Sequence, residues 1–344
     1  MAEPLLSPIL TAAAWRGPQL ANDDSWIYTL TAEDIAELEA ALATARRRGR
    51  DIQDITRDDF PLPRFAGTLK RILREIEDGR GFQMIRGLPV ARLGERDASA
   101  IYWGLGIHMG DAAPQNKRGE LLGHVRAAGK SDWNADPTVR GYHTSAGLPF
   151  HSDKSDVVGL LCLHGAKAGG LSCIASSIAI HNEILAIRPD LHKALYEPYY
   201  IDHRGEEFEG ETPYYVYPMF SVFKDRLYAR FGVHYIKSAQ RFAEVPRLTE
   251  AQIEALTLFD DLAKSDAFRL NIEFHQGDMQ FLSNHAIVHS RTDYIDFPEP
   301  ERRRHLLRIL LFTRREADIP PCVRNVRRFM LAWGERPREG AIES

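Results

Sequence analysis

What most limits the fold of this chain is a series of short apolar segments between about residues 148 and 315, each cut off by glycine, proline or a polar cluster. Val157–Leu163 is continuously apolar, Leu171–Ala175 is a second such run, and Arg269–Phe274 alternates so that Leu270, Ile272 and Phe274 share one face. Met279–Leu282, Ala286–Arg291 and His305–Thr313 add three more. Apolar runs this short read as strands, because a helix needs a longer periodic stretch to cover a core. A helix at about residues 249–263 interrupts them, opened by Thr249 and Gln252 in capping-box spacing. Strands that must each bury a face require a second sheet to bury it against, so the expectation is an antiparallel sandwich or jelly roll.

The first hundred residues carry a different period. Thr31 with Asp34 has capping-box spacing, Ile35, Leu38 and Leu42 follow on one face, and Gly49 ends the element. A second helix is expected from about Thr68, with Leu69, Ile72, Leu73 and Ile76 at helical spacing and Gly79 as its stop. Gly81–Gly87 alternates like a strand, and residues of about 97–107 read as another helix. The expected class is therefore α+β with a mainly β core: a double-stranded β-helix, or jelly roll, over residues 148–315, buttressed by a largely helical part over 1–100. No linker or internal repeat divides the chain, so residues 1–344 are expected to form a single domain.

Composition removes several function classes. The net charge is −4 with both signs interspersed, and Arg46–Arg48 and Arg302–Arg304 are too short for a nucleic-acid footprint. No apolar stretch reaches the roughly 18 residues of a membrane span, and Met1–Leu20 lacks the basic and apolar regions of a secretory signal. The three cysteines, Cys162, Cys173 and Cys322, have no CxxC spacing, which argues against a disulfide framework and fits a reducing compartment. Cys162 and Cys173 lie in apolar runs and are expected to fill core. A cytoplasmic location follows as an expectation, with no nucleic acid or membrane as partner and a homo-oligomer as an open option.

Among thirteen histidines, His-x-Asp/Glu occurs twice, at His151-Ser-Asp153 and at His181-Asn-Glu183. His181 lies in a helical pattern, where residues two apart diverge. His151 leads into a strand-like run, where residues i and i+2 share a face and can meet one cation. A third ligand must come from elsewhere, and Asn284-His-Ala-Ile-Val-His289-Ser-Arg291 offers both His285 and His289, between which periodicity does not choose. A lone histidine in such a place is more often structural than ligating. Two histidines and one carboxylate on one face of an octahedron leave three positions open, which iron(II) needs to take a bidentate oxoacid and then O2.

With these residues in view the chain resembles the taurine dioxygenase (TauD/TfdA) family of 2-oxoglutarate-dependent oxygenases and the related clavaminate-synthase-like group. The family's His-x-Asp/Glu corresponds to His151-Ser-Asp153, its Gly-Gly-x-Thr/Ser to Gly169-Gly170-Leu-Ser172, its Asn-x4-His-x-Arg to Asn284 through His289 to Arg291, and its closing Arg-x3-Arg to Arg304-His-Leu-Leu-Arg308. The resemblance spans Gly81 to about Phe312 and selects His289 over His285. It implies a catalytic domain with Fe(II) on His151, Asp153 and His289, 2-oxoglutarate and O2 as co-substrates, and hydroxylation of a C–H bond with release of succinate and CO2. It further implies that Arg304, helped by Ser172, binds the distal carboxylate of 2-oxoglutarate. Arg308 becomes a candidate anion clamp, either for an anionic or zwitterionic small substrate such as an amino acid or for the co-substrate, and Gln115, Asn116 and Tyr142 are candidates for the pocket, against a competing role in ordinary turns. Arg304, Leu306 and Arg308 are expected on one strand face. The chain departs from the taurine enzyme in a longer stretch between His289 and Arg304. Two competing readings are a zinc or manganese hydrolase or isomerase on the same barrel, and a non-catalytic binding protein.

Overall fold

The computed structural model describes residues 3–127 and 141–335. Its long strands fall into two sheets. One has the order Ile27–Thr29, Phe82–Arg86, Met279–Ser283, Val157–His164, His305–Phe312, Asp111–Ala112, with Leu122–Val125 also on His305–Phe312. The other runs Arg269–Ile272, Ser172–Ser176, Ile287–Arg291, Leu148–His151. Every pairing in them is antiparallel except that between the first two strands of the larger sheet.

Alternation along the strands of the larger sheet feeds two separate cores. Phe82, Met84, Val158, Leu282 and Leu310 join Ile174, Leu270, Ile272 and Val288 of the smaller sheet in one buried cluster. Ile85, Val157, Leu161, Met279, Phe281, Leu307 and Ile309 face the other way, into a cluster with Leu38, Leu42, Leu69, Ile72, Ile101 and Leu105. These last six come from the helices Ala32–Arg47, Phe65–Asp78 and Glu95–Met109. A strand buried on both faces must be apolar at successive positions, which is why Val157–Leu163 reads as a continuous run. The architecture is the expected one, a jelly roll with helices against its outer face.

The caps lie where their residues predict. Thr31 and Asp34 exchange side-chain to backbone hydrogen bonds of 3.1 and 2.9 Å, and Thr249 and Gln252 do the same at 3.2 and 3.0 Å, opening Glu250–Lys264. One expectation about a strand face needs correction. The first ligand strand ends at His151, so Asp153 lies in the segment that follows and not on the strand. Arg304 directly precedes His305–Phe312, and at the register shift beside His305 and Leu306 the extra residue, Leu163, lies on the partner strand. The region least visible in the sequence is residues 198–239: a hairpin of Pro198–Asp202 with Tyr214–Pro218, a second of Phe220–Phe223 with Arg226–Ala229, and the helix Val233–Ala239. No helix among the described residues is long and apolar enough to cross a membrane.

Candidate metal centre and adjoining cavity

The smaller sheet creates the centre. His289 stands directly opposite His151 in the antiparallel register, and their ring centroids are 4.3 Å apart. Asp153 joins them from the turn beyond, with its Oδ2 3.6 Å from His289 Nε2. One ligand atom from each of the three residues lies within 4.8 Å of the others, the one such group of three or more metal-ligating side chains among the described residues. Asn284 fixes the turn. Its Oδ1 accepts from Asp153 N at 2.9 Å and its Nδ2 donates to Ser155 O at 3.1 Å, so the motif asparagine ties the first ligand segment to the strand carrying the last ligand. His285 is occupied elsewhere, 2.9 Å from Asp156 Oδ1. Asp156 also accepts from Thr313 N and Arg314 N and pairs with Arg327, a buried hub that nothing in the sequence marked.

Charge and burial suit a cation. Burial disfavours the ionised Asp153, but Arg308, His289 and His151 outweigh it and hold the carboxyl below its ordinary pKa. Burial, then the neighbouring His151, pushes His289 down to about 3, so its imidazole is neutral near pH 7, the form that ligates a metal. Asp153 Oδ2 is buried with no hydrogen-bond partner. Such an atom is costly unless something pairs with it, and a divalent ion would.

Near Arg304, Ser172 donates to Gln280 Oε1 at 2.9 Å, which leaves Gln280 Nε2 buried and unpartnered. Arg304, only 5% exposed, has Nη1 in the same condition, as are Nε and Nη1 of Arg291. The Tyr294 ring lies 4.8 Å from the Arg291 guanidinium and 5.0 Å from that of Arg304, so both cations pack on one aromatic ring. Burial, then the charge of Arg304, lowers Arg291 to about 10. Buried guanidinium groups with unpartnered N–H donors are costly unless an acceptor meets them. Gly169 and Gly170 have φ of +73° and +72°, and a Cβ on Gly170 would meet Arg304 Nε at 3.1 Å. Only glycine lets this loop come so close to the arginine. Burial also pushes the neighbouring Cys162 thiol up to about 12, in keeping with core filling.

The remaining sequence candidates separate. Arg308 lies 3.5 Å from Asp153 Oδ1 and donates through Nε to Gln115 Oε1 at 2.8 Å, while Gln115 Nε2 donates to the carbonyls of Leu121 and Arg308. Both line a cavity that opens beside His151 and Asp153. Asn116 does not line it; its side chain closes a local turn with Glu120 and Arg118 N. Tyr142 stands in the short turn Gly141–His143, and its side chain lies outside the described part of the structure. The cavity's far wall comes from the two hairpins, through Asp202, His203, Arg204, Tyr215 and Arg230. The sequence reading named none of these, nor Gln280.

With the site described, the chain can be placed: it belongs to the taurine catabolism dioxygenase TauD/TfdA family, whose model matches residues 48–310. That membership makes it an iron(II)- and 2-oxoglutarate-dependent dioxygenase. It is 30% identical over 311 residues to FR-33289 synthase of Streptomyces rubellomurinus, covering 90% of this chain and 91% of that one. It is 28% identical over 305 residues to the taurine hydroxylase-like protein SAT17 of Stachybotrys chartarum, covering 86% and 78%. In fold it is similar to asparagine oxygenase, solved with Fe(II), a hydroxyasparagine and succinate (TM-score 0.65, 18% identity, 84% of this chain and 94% of that one). The non-haem iron oxygenase OrfP, solved with Fe, succinate and a hydroxyarginine, is similar too (TM-score 0.61, 17% identity, 84% and 94%).

Proposed function

We propose that His151, Asp153 and His289 hold the iron, that Arg304 with Ser172 holds the far carboxylate of 2-oxoglutarate, and that the adjoining cavity presents a C–H bond of a small anionic or zwitterionic molecule for hydroxylation. The observation that carries this is the convergence of one ligand atom each from His151, Asp153 and His289 within 4.8 Å, with Asp153 Oδ2 buried and without a hydrogen-bond partner. With its co-substrates the iron supplies the oxidant that converts C–H to C–OH, releasing succinate and CO2. The chain's own work is positioning and exclusion. Asn284 orients the turn bearing Asp153, Arg308 keeps that carboxylate ionised, and Gln115 holds Arg308 in place. Gln280 orients the Ser172 hydroxyl and has an N–H to spare for an oxyanion. Arg291, across Tyr294 from Arg304, adds a second positive charge where the oxoacid ends. The names of the fold neighbours, which act on asparagine or carry a hydroxylated arginine, support an amino-acid-like substrate. We read the chain as one catalytic unit, and its free cysteines fit a reducing, cytoplasmic setting.

The test is anaerobic. Wild-type protein with Fe(II) and 2-oxoglutarate should develop the visible charge-transfer absorption of a chelated oxoacid. His289→Ala should lose it while keeping its far-UV circular dichroism. Full absorption in His289→Ala would refute the assignment.

A further inference from the structure

Arg230 lines the same cavity as Asp153 and Arg308. It follows the strand Arg226–Ala229 and is 8% exposed. Its guanidinium stacks on two rings, 4.9 Å from the Tyr217 centroid and 5.7 Å from that of Tyr215. Among the described residues it makes no ion pair with any carboxylate. The stack on aromatic faces and the neighbouring tyrosine hydroxyls satisfy this charge in part, and no carboxylate completes it. A buried guanidinium without a carboxylate is expensive. A ligand anion in the cavity would repay it.

The backbone holds Arg230 in fixed relation to the metal ligands. Phe231 N donates to Ser152 Oγ at 3.0 Å and Ser152 N donates to Phe231 O at 2.9 Å, so the residue between the two ligands of His151-Ser-Asp153 is paired to the residue after Arg230. Ala229 N donates to His285 O at 2.9 Å, and Arg230 N to Met219 O at 2.8 Å. Lys154, next in sequence to Asp153, places its ammonium 5.6 Å from the Tyr215 ring, adding positive charge to this wall. Arg308, by contrast, is already engaged with Asp153 and Gln115 at the metal end.

We propose that Arg230 is the anion-binding residue of the substrate cavity: it grips a terminal oxyanion of the substrate (phosphonate, sulfonate or carboxylate) and thereby sets which C–H bonds lie beside His151, Asp153 and His289. This rests on the metal-centre reading given above. A planar fork suits all three oxyanions, and a dianionic phosphonate gains most from the added charge of Lys154.

The test loads the protein anaerobically with Fe(II) and 2-oxoglutarate and titrates it with propylphosphonate, propanesulfonate, butanoate and the neutral butanamide, reading the melting temperature and the change in visible absorption. At least one anion should raise the melting temperature and perturb the absorption, with butanamide doing neither, and the anion that binds best names the headgroup. Arg230→Met should weaken that anion at least about tenfold while retaining the iron–oxoacid absorption, and Arg230→Lys should recover part of the loss. The proposal is overturned if none of the three anions binds the wild type, or if Arg230→Met binds them as the wild type does. Should Arg230→Met fail to fold, Arg230→Lys decides: an affinity several-fold weaker supports the fork, and an unchanged one overturns it. Missing absorption in the wild type defeats the metal-centre reading itself, and this proposal with it; normal absorption with no anion response defeats only this proposal.

Discussion

At the metal end of the cavity His289 faces His151 across one register pair of an antiparallel sheet; at the far end Arg230 leans on Tyr215 and Tyr217 beyond the last strand of a short hairpin. The first arrangement is held by ladder hydrogen bonds and by Asn284, so its geometry is imposed by the scaffold. The second joins backbone hydrogen bonds around Arg230 to ring packing: His203 packs against Phe329 at 4.2 Å and Tyr215 at 4.9 Å, and Lys154 lies 5.0 Å from the Trp333 ring. Sheet pairing fixes a chemical centre that must not move. A wall of stacked aromatics and cations can be rebuilt residue by residue without disturbing the ladder, which is how one oxidising centre serves many substrates.

That contrast can be broken at either end. The largest effect is expected at Arg304: Arg304→Met removes a buried charge from the oxoacid's end and should raise the dissociation constant for 2-oxoglutarate about 100-fold, measured by anaerobic titration, while the anion response assigned to Arg230 persists in saturating 2-oxoglutarate. Equal losses at both ends would erase the distinction. A middle-sized effect belongs to the wall. Burial, followed by the charges of Lys154 and Arg230, pushes His203 down to about 3, so the folded chain refuses a proton that the unfolded chain accepts near pH 6.5. Stability is therefore fully present above about pH 6.5 and should fall as the pH drops from there toward 3, by up to about 1.4 kcal/mol per pH unit from this group. His203→Gln should flatten that slope in urea unfolding measured at successive pH values; an unchanged slope would assign the acid sensitivity elsewhere. The smallest effect tests the seam between the two regions. Ser152→Ala removes the hydroxyl that accepts from Phe231 N and should cost about 1 kcal/mol of stability, read by urea unfolding, with the iron–oxoacid absorption retained.

Local chemistry explains what could be read from residues alone. Thr31 with Asp34 and Thr249 with Gln252 cap helices through contacts three residues apart, and spacing of that kind is written directly in the chain. His151 and Asp153 are two apart, and Gly169-Gly170 is legible because a loop with positive φ against Arg304 admits little else. The choice of His289 over His285 needed resemblance, since both positions suit a ligand by periodicity; Asp156, 129 residues away in sequence, is what occupies His285.

The chain on its own determined the β-rich core, the helices against it and the four motifs of the oxygenase site, because periodicity, capping and short motif spacing are properties of neighbouring residues. Only the tertiary structure decided that Gln280 meets Ser172, that Arg291 and Arg304 share Tyr294, and that Arg230 stands in the cavity wall. The first joins segments 108 residues apart, and the energy of all three comes from burial and charge in a common space, which no local pattern records.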